Sequence, residues 1–480
     1  MLALLLVTAC QRNVGAVDVF LVKSPRPEQD PLDSFVVARV RLRLTGPAGD
    51  VVTAEFDYAP GGSGKLVDVP AGDGWVLAVE ALDATGSVRS RGRSLPFSVG
   101  DGTRQVVVWV GRVGQFSLGH GSLGSARAGH SATPLSDGRF LVAGGTPLLD
   151  RAVGPAEPVG ALDSAEIVNP GSADVTYVSP GCSSSGDPLC LGEARAFHSA
   201  TPLADGDILM AGGEDDAGSI QSAELYAQES RRFFAGPAMA IERTQHVALS
   251  LPEGPLLAGG RSSSAEALRE VEFLRNGAFV RLEPLLRARR GAAGALLESG
   301  GLVAGGLDEN GVVIEGPAEV FEPGAARFLL TASPRVARAL HAALALDDGR
   351  VLLLGGLTGP CMPGPGCLRP ATGSIEAYDP DTAEFSEIGS LLVARHGHTA
   401  TKLPDGTILV VGGLGGGEFG EPVPQVEVVD PSSGSSRMQY TLTEPRAFHA
   451  TLLADNGFVY VAGGIGADGR ALSSIEVLVP

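Results

Sequence analysis

The chain has 480 residues, which is too long for one ordinary hydrophobic core, so two domains are expected. It contains 67 glycines and 33 prolines, which excludes a protein of long helices and favours short strands joined by tight turns. The formal net charge is −19, and the sequence contains no stripe of basic residues. Both observations argue against nucleic acid as a partner. The composition therefore predicts an all-β protein that does not bind nucleic acid.

The first ten residues resemble a bacterial lipoprotein signal peptide. Residues 2–7 form an apolar run too short to span a bilayer as a helix, and it leads into the sequence VTAC ending at Cys10. This resembles the lipobox, which implies cleavage before Cys10 and its lipidation. No Lys or Arg precedes Cys10, so either the true start codon lies upstream or the match is chance. Gln11 is not acidic, and the resemblance therefore implies the outer membrane.

Residues 15–112 do not repeat and are predicted to form a small, separate β-sandwich domain. Within it, residues 35–44 alternate between an apolar face and a face carrying Arg39, Arg41 and Arg43, which is typical of a half-buried strand. We interpret the arginine row as a solvated sheet face, with an anion-binding stripe as the alternative. Further strands are predicted at 51–58, 65–69, 75–82 and 105–110. The VPAG step before the fourth predicted strand resembles immunoglobulin-like or prealbumin-like modules.

From residue 125 onward, one pattern returns seven times. The first copy has RAGH at 127–130, an apolar strand, an Asp-Gly turn at 137–138, an apolar run ending in Gly144-Gly145, a variable loop, and SAEIV at 164–168. The repeated arginines are Arg127, Arg195, Arg243, Arg289, Arg338, Arg395 and Arg446. The repeated glutamates are Glu166, Glu224, Glu272, Glu319, Glu376, Glu427 and Glu476. A histidine follows three residues after the arginine in every copy except the fourth, which has Ala292.

Each repeat predicts one four-stranded antiparallel blade of a β-propeller. The Asp-Gly turn supplies the positive φ that a hairpin needs, and the apolar second strand is typical of a strand buried on both faces. Double glycine, then glutamate, then an aromatic position resembles the kelch repeat, over about 370 residues at a period of about 50 residues. Kelch repeats usually have Trp at the aromatic position. This chain has Phe or other residues there, among them Phe234, Phe279, Phe328, Phe385, Tyr177 and Met438.

The seventh copy ends soon after Glu476 and lacks a fourth strand. Residues 113–118 (VGQFSL), with Phe116 at the aromatic position, resemble that missing strand. A strand from the N-terminal side would complete the last blade and satisfy its edge hydrogen bonds. We therefore predict a seven-bladed kelch-type propeller over residues 113–480.

The repeated Arg and Glu begin strands one and three of each blade, so a long arginine side chain can reach a glutamate of its own blade or of a neighbour. We interpret them as a ring of structural ion pairs, because buried charges are usually paired. The alternative is a ring at the channel mouth that binds an anion or a metal. Symmetric positions around a ring do not converge within metal-ligand distances of about 2 Å, so no metal and no cofactor is expected.

Four cysteines form two close pairs in loops, Cys182 with Cys190 and Cys361 with Cys367, and are predicted to be disulfides. A metal site is the rival interpretation, but neither pair has CxxC spacing or a nearby His. Alternating strand directions place the 2–3 and 4–1 loops on one face of the propeller. That face receives the long insertions, at 146–163, 182–190, 357–373 and 414–425.

These features predict a non-enzymatic binding scaffold, exported to the cell envelope, that engages a protein or a glycan through the 2–3 and 4–1 loop face. A monomer is expected, in contact with the membrane only through its lipid anchor. The alternative is a carbohydrate-active propeller enzyme with its site at the channel mouth. Copper radical oxidases resembling galactose oxidase need a Tyr–Cys cross-link, but Tyr is scarce and the cysteines pair with each other. A sugar isomerase using Arg and Glu stays open.

Overall fold

A computed structural model of the chain describes residues 14–33, 36–59, 64–150, 157–172, 174–176, 190–359, 369–416 and 420–480. Apart from one 3-10 turn at Pro27–Gln29, the regular structure in these ranges is all β. No helix in them is long and apolar enough to cross a membrane. Two compact units are distinguished. The first comprises Met1–His120, Asn169–Asp174 and Val477–Pro480, and the second comprises Gly121–Val168 and Val175–Glu476.

The N-terminal unit contains an eight-stranded sheet. Its strands are Val14–Val22, Arg39–Thr45, Val51–Asp57, Gly64–Pro70, Gly72–Leu82, Val88–Arg93, Phe97–Val99 and Thr103–Arg112. Most neighbours are antiparallel, but the first and last of these strands are parallel. The predicted alternation is confirmed over residues 39–44, because Val40, Leu42 and Leu44 are fully buried in one apolar core, while residue 35 lies outside the described residues. The first, sixth and seventh strands were missed; the sixth, VRSRGR, has almost no apolar residue to indicate a strand.

The arginine row on this sheet lies against carboxylates of the neighbouring strands. Arg39 and Arg41 both contact Glu55, at 2.6 and 2.9 Å, and Arg41 also contacts Glu80 at 3.2 Å. All four side chains are partly exposed, so these pairs contribute little to stability. The contact with Glu55 raises the pKa of Arg41. The geometry fits a solvated sheet face better than an anion-binding stripe, because two of the three positive charges, those of Arg39 and Arg41, are already matched.

Seven four-stranded antiparallel sheets form a seven-bladed β-propeller, which confirms the predicted architecture. Strand one of each blade contacts strand one of the next, and blade 7 returns to blade 1. Blade 1 has strands Ser131–Pro134, Phe140–Ala143, Ala165–Asn169 and Asp174–Thr176; blade 2 has Ser199–Pro202, Ile208–Ala211, Ala223–Ala227 and Arg232–Ala235; blade 3 has Val247–Leu251, Gly254–Ala258, Val271–Arg275 and Ala278–Arg281; blade 4 has Ala293–Leu297, Gly300–Ala304, Glu319–Glu322 and Arg327–Leu330.

The remaining blades follow the same order. Blade 5 has strands Ala342–Ala345, Val351–Leu354, Ser374–Asp379 and Glu384–Ser390; blade 6 has Thr399–Lys402, Ile408–Val411, Gln425–Val429 and Ser436–Thr441; blade 7 has Ala450–Leu453, Val459–Ala462, Ser474–Leu478 and, as its outermost strand, Phe116–Ser122. Among the described residues, three two-stranded sheets lie outside the blades: Leu148–Asp150 with Glu157–Val159, Glu214–Asp215 with Gly218–Ser219, and Arg395–His396 with Leu414–Gly415.

The outermost strand of blade 7 thus comes from the N-terminal side of the propeller. The sequence placed this strand at 113–118, and in the structure it begins at Phe116 and ends at Ser122. Phe116 is buried, and just beyond the strand the Leu123 N–H donates to the carbonyl of Ser473 at 2.7 Å. The hydrogen-bonding edge of Ser474–Leu478 is therefore covered.

Each second strand ends in the double glycine, and both glycines have positive φ in all seven blades. The second glycine donates its N–H to the carbonyl of the repeated arginine in the next blade, as from Gly145 to Arg195 at 2.8 Å. The series closes with Gly464 donating to Arg127 at 2.8 Å. The first glycine leaves room for the next blade's histidine: a Cβ on Gly355 would lie 2.8 Å from Cε1 of His398. The double glycine is therefore one site at which neighbouring blades are in close contact.

A second closed series of backbone hydrogen bonds runs around the centre of the propeller. One residue per blade, two positions after the repeated arginine, donates its N–H to the carbonyl of the equivalent residue in the preceding blade, at 2.8 to 3.4 Å. All seven have φ between 52° and 61°. They are Gly129, Phe197, Gln245, Gly291, Leu340, Gly397 and Phe448. We call this set the central hydrogen-bond ring; nothing in the sequence pattern predicted it.

The aromatic position of strand four is only partly as predicted. Phe328 and Phe385 are buried, but Phe234 is 50% exposed. In blade 2 the packed aromatic is Phe233, which pairs with Tyr226 across the sheet at a ring distance of 5.1 Å. The prediction of Phe234 was wrong by one residue because two adjacent phenylalanines fit the pattern, and neighbouring residues of a strand point to opposite faces.

Replacing the first glycine of a pair tests this close approach. We expect Gly355→Ala to lower the free energy of unfolding by about 1–2 kcal/mol for the left-handed backbone and about 1–3 kcal/mol more for overpacking against Arg395 and His398. Gly349→Ala is the matched control, because its φ is +85° and nothing lies within 4 Å of the added Cβ. Urea unfolding of both variants measures the difference. Equal losses would show that the contact between blades does not require glycine.

Candidate functional site

The seven repeated arginines each pair with the repeated glutamate of their own blade. The Nη2–Oε1 distances are 2.5 to 2.9 Å, and all seven arginine side chains are completely buried. Each arginine also donates through Nη1 to the carbonyl of the first glycine of its blade, as Arg338 does to Gly355 at 2.9 Å. The sequence allowed each arginine to reach a glutamate of its own blade or of a neighbouring blade. In the structure the pair forms within one blade.

Each glutamate also binds the segment that enters its blade. In blade 5, Glu376 accepts hydrogen bonds from the backbone N–H groups of Arg335 and Val336, at 2.6 and 2.9 Å. The same two bonds recur in the other six blades. Burial lowers the pKa of Arg338, and the charge and hydrogen bond of Glu376 oppose this effect. Both charges are therefore engaged internally, and neither faces a substrate.

The six repeated histidines lie between blades, where solvent does not reach their Nδ1 atoms. They are His130, His198, His246, His341, His398 and His449. Burial and the nearby Arg395 lower the pKa of His398 to about 3, so the imidazole is neutral at neutral pH. No cluster of three His, Cys, Asp or Glu side chains suited to a metal ion occurs among the described residues. The geometry gives these histidines a packing role.

A cleft of the described residues lies on the face of the 2–3 and 4–1 loops. It has a volume of about 730 Å³ and is lined by the 2–3 loops of blades 3 and 4 and by the connection between them, at 265–270, 308–315 and 286–288. We call it the loop-face cleft. Leu286 and Val312 in its wall are 49% and 45% exposed. None of its lining residues belongs to the repeated Arg, Glu or His positions, although the backbone N–H groups of Leu286 and Arg287 donate to the repeated Glu319.

The charged residues of the loop-face cleft are of both signs. Arg269 and Arg287 line it together with carboxylates that include Glu309 and Glu315. Arg269 donates from Nε to the carbonyl of Leu285 at 2.8 Å, which fixes its direction. These four side chains form no ion pair within the described part of the chain. They are available to a ligand. Loop length, the signal that marked this face in the sequence, gives no information about these charges.

The other predicted site residues are only partly described. Cys10, Cys182, Cys361 and Cys367 lie outside the described residues, as do parts of the four long insertions. Cys190 is described and forms an isolated β-bridge with Ser164. The lipidation and the two disulfides therefore stay predictions.

Comparisons with known proteins do not show a family for this chain. No protein-family model matches the chain, and no curated protein matches it. Among solved structures, 489 chains match, including one titled "Structure of YjhT" with 15% sequence identity and a TM-score of 0.46. That match covers 58% of this chain and 93% of the other. At this similarity it supports no inference about function.

Breaking one arginine–glutamate pair should strongly destabilise the propeller. We expect Glu376→Gln to cost about 3–5 kcal/mol, because it leaves the buried Arg338 cation without its counter-ion. Asp348→Asn removes the exposed pair with Arg350 in the same blade and should cost at most about 1 kcal/mol. Urea unfolding curves measure both. Similar losses for the two variants would show that the buried pair has no special role.

The histidines should make the protein sensitive to acid. The pKa of His398 is about 3 in the folded protein and near 6.5 when unfolded, so the unfolded chain binds more protons between these values. The free energy of unfolding is therefore highest above pH 6.5 and falls as the pH drops, by up to about 1.4 kcal/mol per pH unit for each such histidine.

A double variant separates this effect from other titrations. The double variant His341→Ala, His398→Ala places alanine where the fourth repeat naturally has Ala292. Between pH 6 and pH 5 it should reduce the slope of the free energy of unfolding against pH by about 2–3 kcal/mol per pH unit. Urea unfolding at several pH values gives the slope, which is independent of the cavity that the alanines leave. An unchanged slope would contradict the neutral, buried state of these imidazoles.

Proposed function

We propose that the protein is an exported, non-enzymatic binding scaffold of the bacterial cell envelope, whose propeller engages a protein ligand through the face of the 2–3 and 4–1 loops. The proposal rests on a contrast between the repeated charged residues and the residues of the loop-face cleft. The repeated charged residues are buried and bonded internally, whereas none of the side chains that line the loop-face cleft is a repeated Arg, Glu or His, and Leu286 and Val312 among them are exposed.

The chemistry of the loop-face cleft favours a protein over a glycan. Leu286 and Val312 supply exposed apolar area, and arginines and glutamates surround them, as in the apolar centre and polar rim of protein interfaces. Its lining residues include no aromatic ring on which a sugar could stack. A carbohydrate-active enzyme has less support, because the Arg and Glu expected at a catalytic channel mouth are used inside the blades.

The proposal includes the repeat family of the propeller, the type of the N-terminal domain, the lipid anchor and the disulfides. The kelch type is supported by the double glycines and the in-blade arginine–glutamate pairs, which recur in every blade. We further propose that the N-terminal sheet is a β-sandwich module of immunoglobulin-like or prealbumin-like type. Cys10 would then carry the lipid anchor in the outer membrane. Disulfides Cys182–Cys190 and Cys361–Cys367 would brace long loops on the binding face.

A capture experiment from envelope extract tests the binding face. Immobilised protein carrying Leu286→Asp and Val312→Asp should retain at least fivefold less of the specifically bound species than the unmodified chain, because the charges oppose burial of the cleft. Leu330→Asp is the control, since Leu330 is an exposed leucine of the same blade that does not line the cleft. Quantitative mass spectrometry measures the retained species.

Treatment of the extract separates the ligand classes. Protease treatment should abolish capture, whereas periodate, which cleaves sugar diols, should leave it intact. Loss after periodate alone would make the ligand a glycan. Equal capture by the cleft variant and the unmodified chain would contradict the proposed face.

A further inference from the structure

The opposite face of the propeller carries a second cavity, of about 690 Å³. It is formed by the end of strand one in blade 2, the 1–2 hairpin turns of blades 3 and 4, and a 3–4 turn of blade 4. We call it the turn-face groove. Leu251 and Leu297 are buried in its floor, and Leu296 in its wall is 41% exposed. Its lining is mostly leucine, proline and glycine, so it offers an apolar surface.

The turn-face groove arises from a local departure from the repeat. In blades 3 and 4 the hairpin turns have two residues, because Leu251 pairs with Gly254 and Leu297 pairs with Gly300. In the other five blades strand one is a residue shorter and the turn is wider.

Glycine makes the two tight hairpins possible. Gly254 and Gly300 have φ of +138° and +152°, and a Cβ on either would overlap a carbonyl of strand three. The blade architecture does not need this arrangement, since five blades fold without it.

The charge of the turn-face groove has one sign. Glu253 and Glu298, one from each tight turn, are exposed and are the only charged residues of its lining. Neither forms an ion pair with any described residue, and no cation lines the groove. Two carboxylates beside an apolar surface attract a cation more strongly than they would in open water, because the apolar wall lowers the local dielectric.

We propose that the turn-face groove binds an extended polypeptide segment in which leucine-like side chains are flanked by lysine or arginine. The apolar floor accepts the hydrophobic side chains, and Glu253 and Glu298 pair with the flanking cations. The volume lies within the usual range for a binding pocket and is enough for a few side chains. This site is on the other face from the loop-face cleft and does not depend on the function proposed for that cleft.

Three fluorescently labelled nonapeptides test this site by anisotropy titration. The first alternates Leu and Lys, the second replaces Lys by Glu, and the third replaces Leu by Ser. The Leu-Lys peptide should bind, and the other two should bind at least tenfold more weakly. Glu253→Gln with Glu298→Gln should weaken its binding about fivefold, in line with exposed ion pairs. Leu296→Ser should weaken it as well.

The matched control is Glu309→Gln with Glu315→Gln, which removes the same charge from the loop-face cleft and should change the affinity less than twofold. Circular dichroism melting confirms that all variants fold. If the control pair weakened binding as much as Glu253→Gln with Glu298→Gln, or if the Ser-Lys peptide bound as tightly as the Leu-Lys peptide, net charge alone would explain the attraction. Either result would overturn the proposal. Absence of binding, or a dimer in sedimentation velocity that Leu296→Ser disperses, would overturn it too.

Discussion

The buried arginine of each repeat is the interaction on which the propeller depends. Its guanidinium binds the glutamate and the first glycine carbonyl of its own blade, while its backbone carbonyl accepts the N–H of the preceding blade's second glycine. One residue thus connects strands one, two and three of a blade and joins that blade to its neighbour. Because a buried charge without its partner is costly, the arginine and the glutamate require each other. Seven identical connections also constrain how far any blade can depart from the pattern.

Departures from the pattern are therefore informative, and they concentrate in blades 3 and 4. Blade 4 has Ala292 in place of the histidine, and both blades replace the wide Asp-Gly turn by a two-residue hairpin. The loop-face cleft and the turn-face groove lie at these same blades, one on each face. Residues that the fold does not need are free to serve recognition, and the propeller keeps its stability because the arginine and glutamate are retained there.

The sequence was enough to predict the seven blades, since double glycine, arginine and glutamate recur by residue type. It was not enough for the central hydrogen-bond ring, whose members range from Gly129 to Phe197 and share a backbone conformation rather than a side chain. Nor did it predict the cavities, which depend on the spacing between blades. The turn-face groove did leave a signal in the sequence, the loss of Asp-Gly before Gly254 and Gly300. That loss indicates a groove only when the structure shows that the two hairpins are neighbours.

The central hydrogen-bond ring also has an electrostatic consequence. Its seven N–H···O=C bonds follow one another head to tail around a circle, so the bond-dipole components in the plane of the circle cancel by symmetry. A helix end, by contrast, concentrates its dipoles and attracts ions of one sign. Every N–H of the circle is already bonded to a carbonyl of the circle. The N–H groups of the ring therefore offer an ion on the axis no free donor, and recognition of a ligand has to use other groups of the propeller.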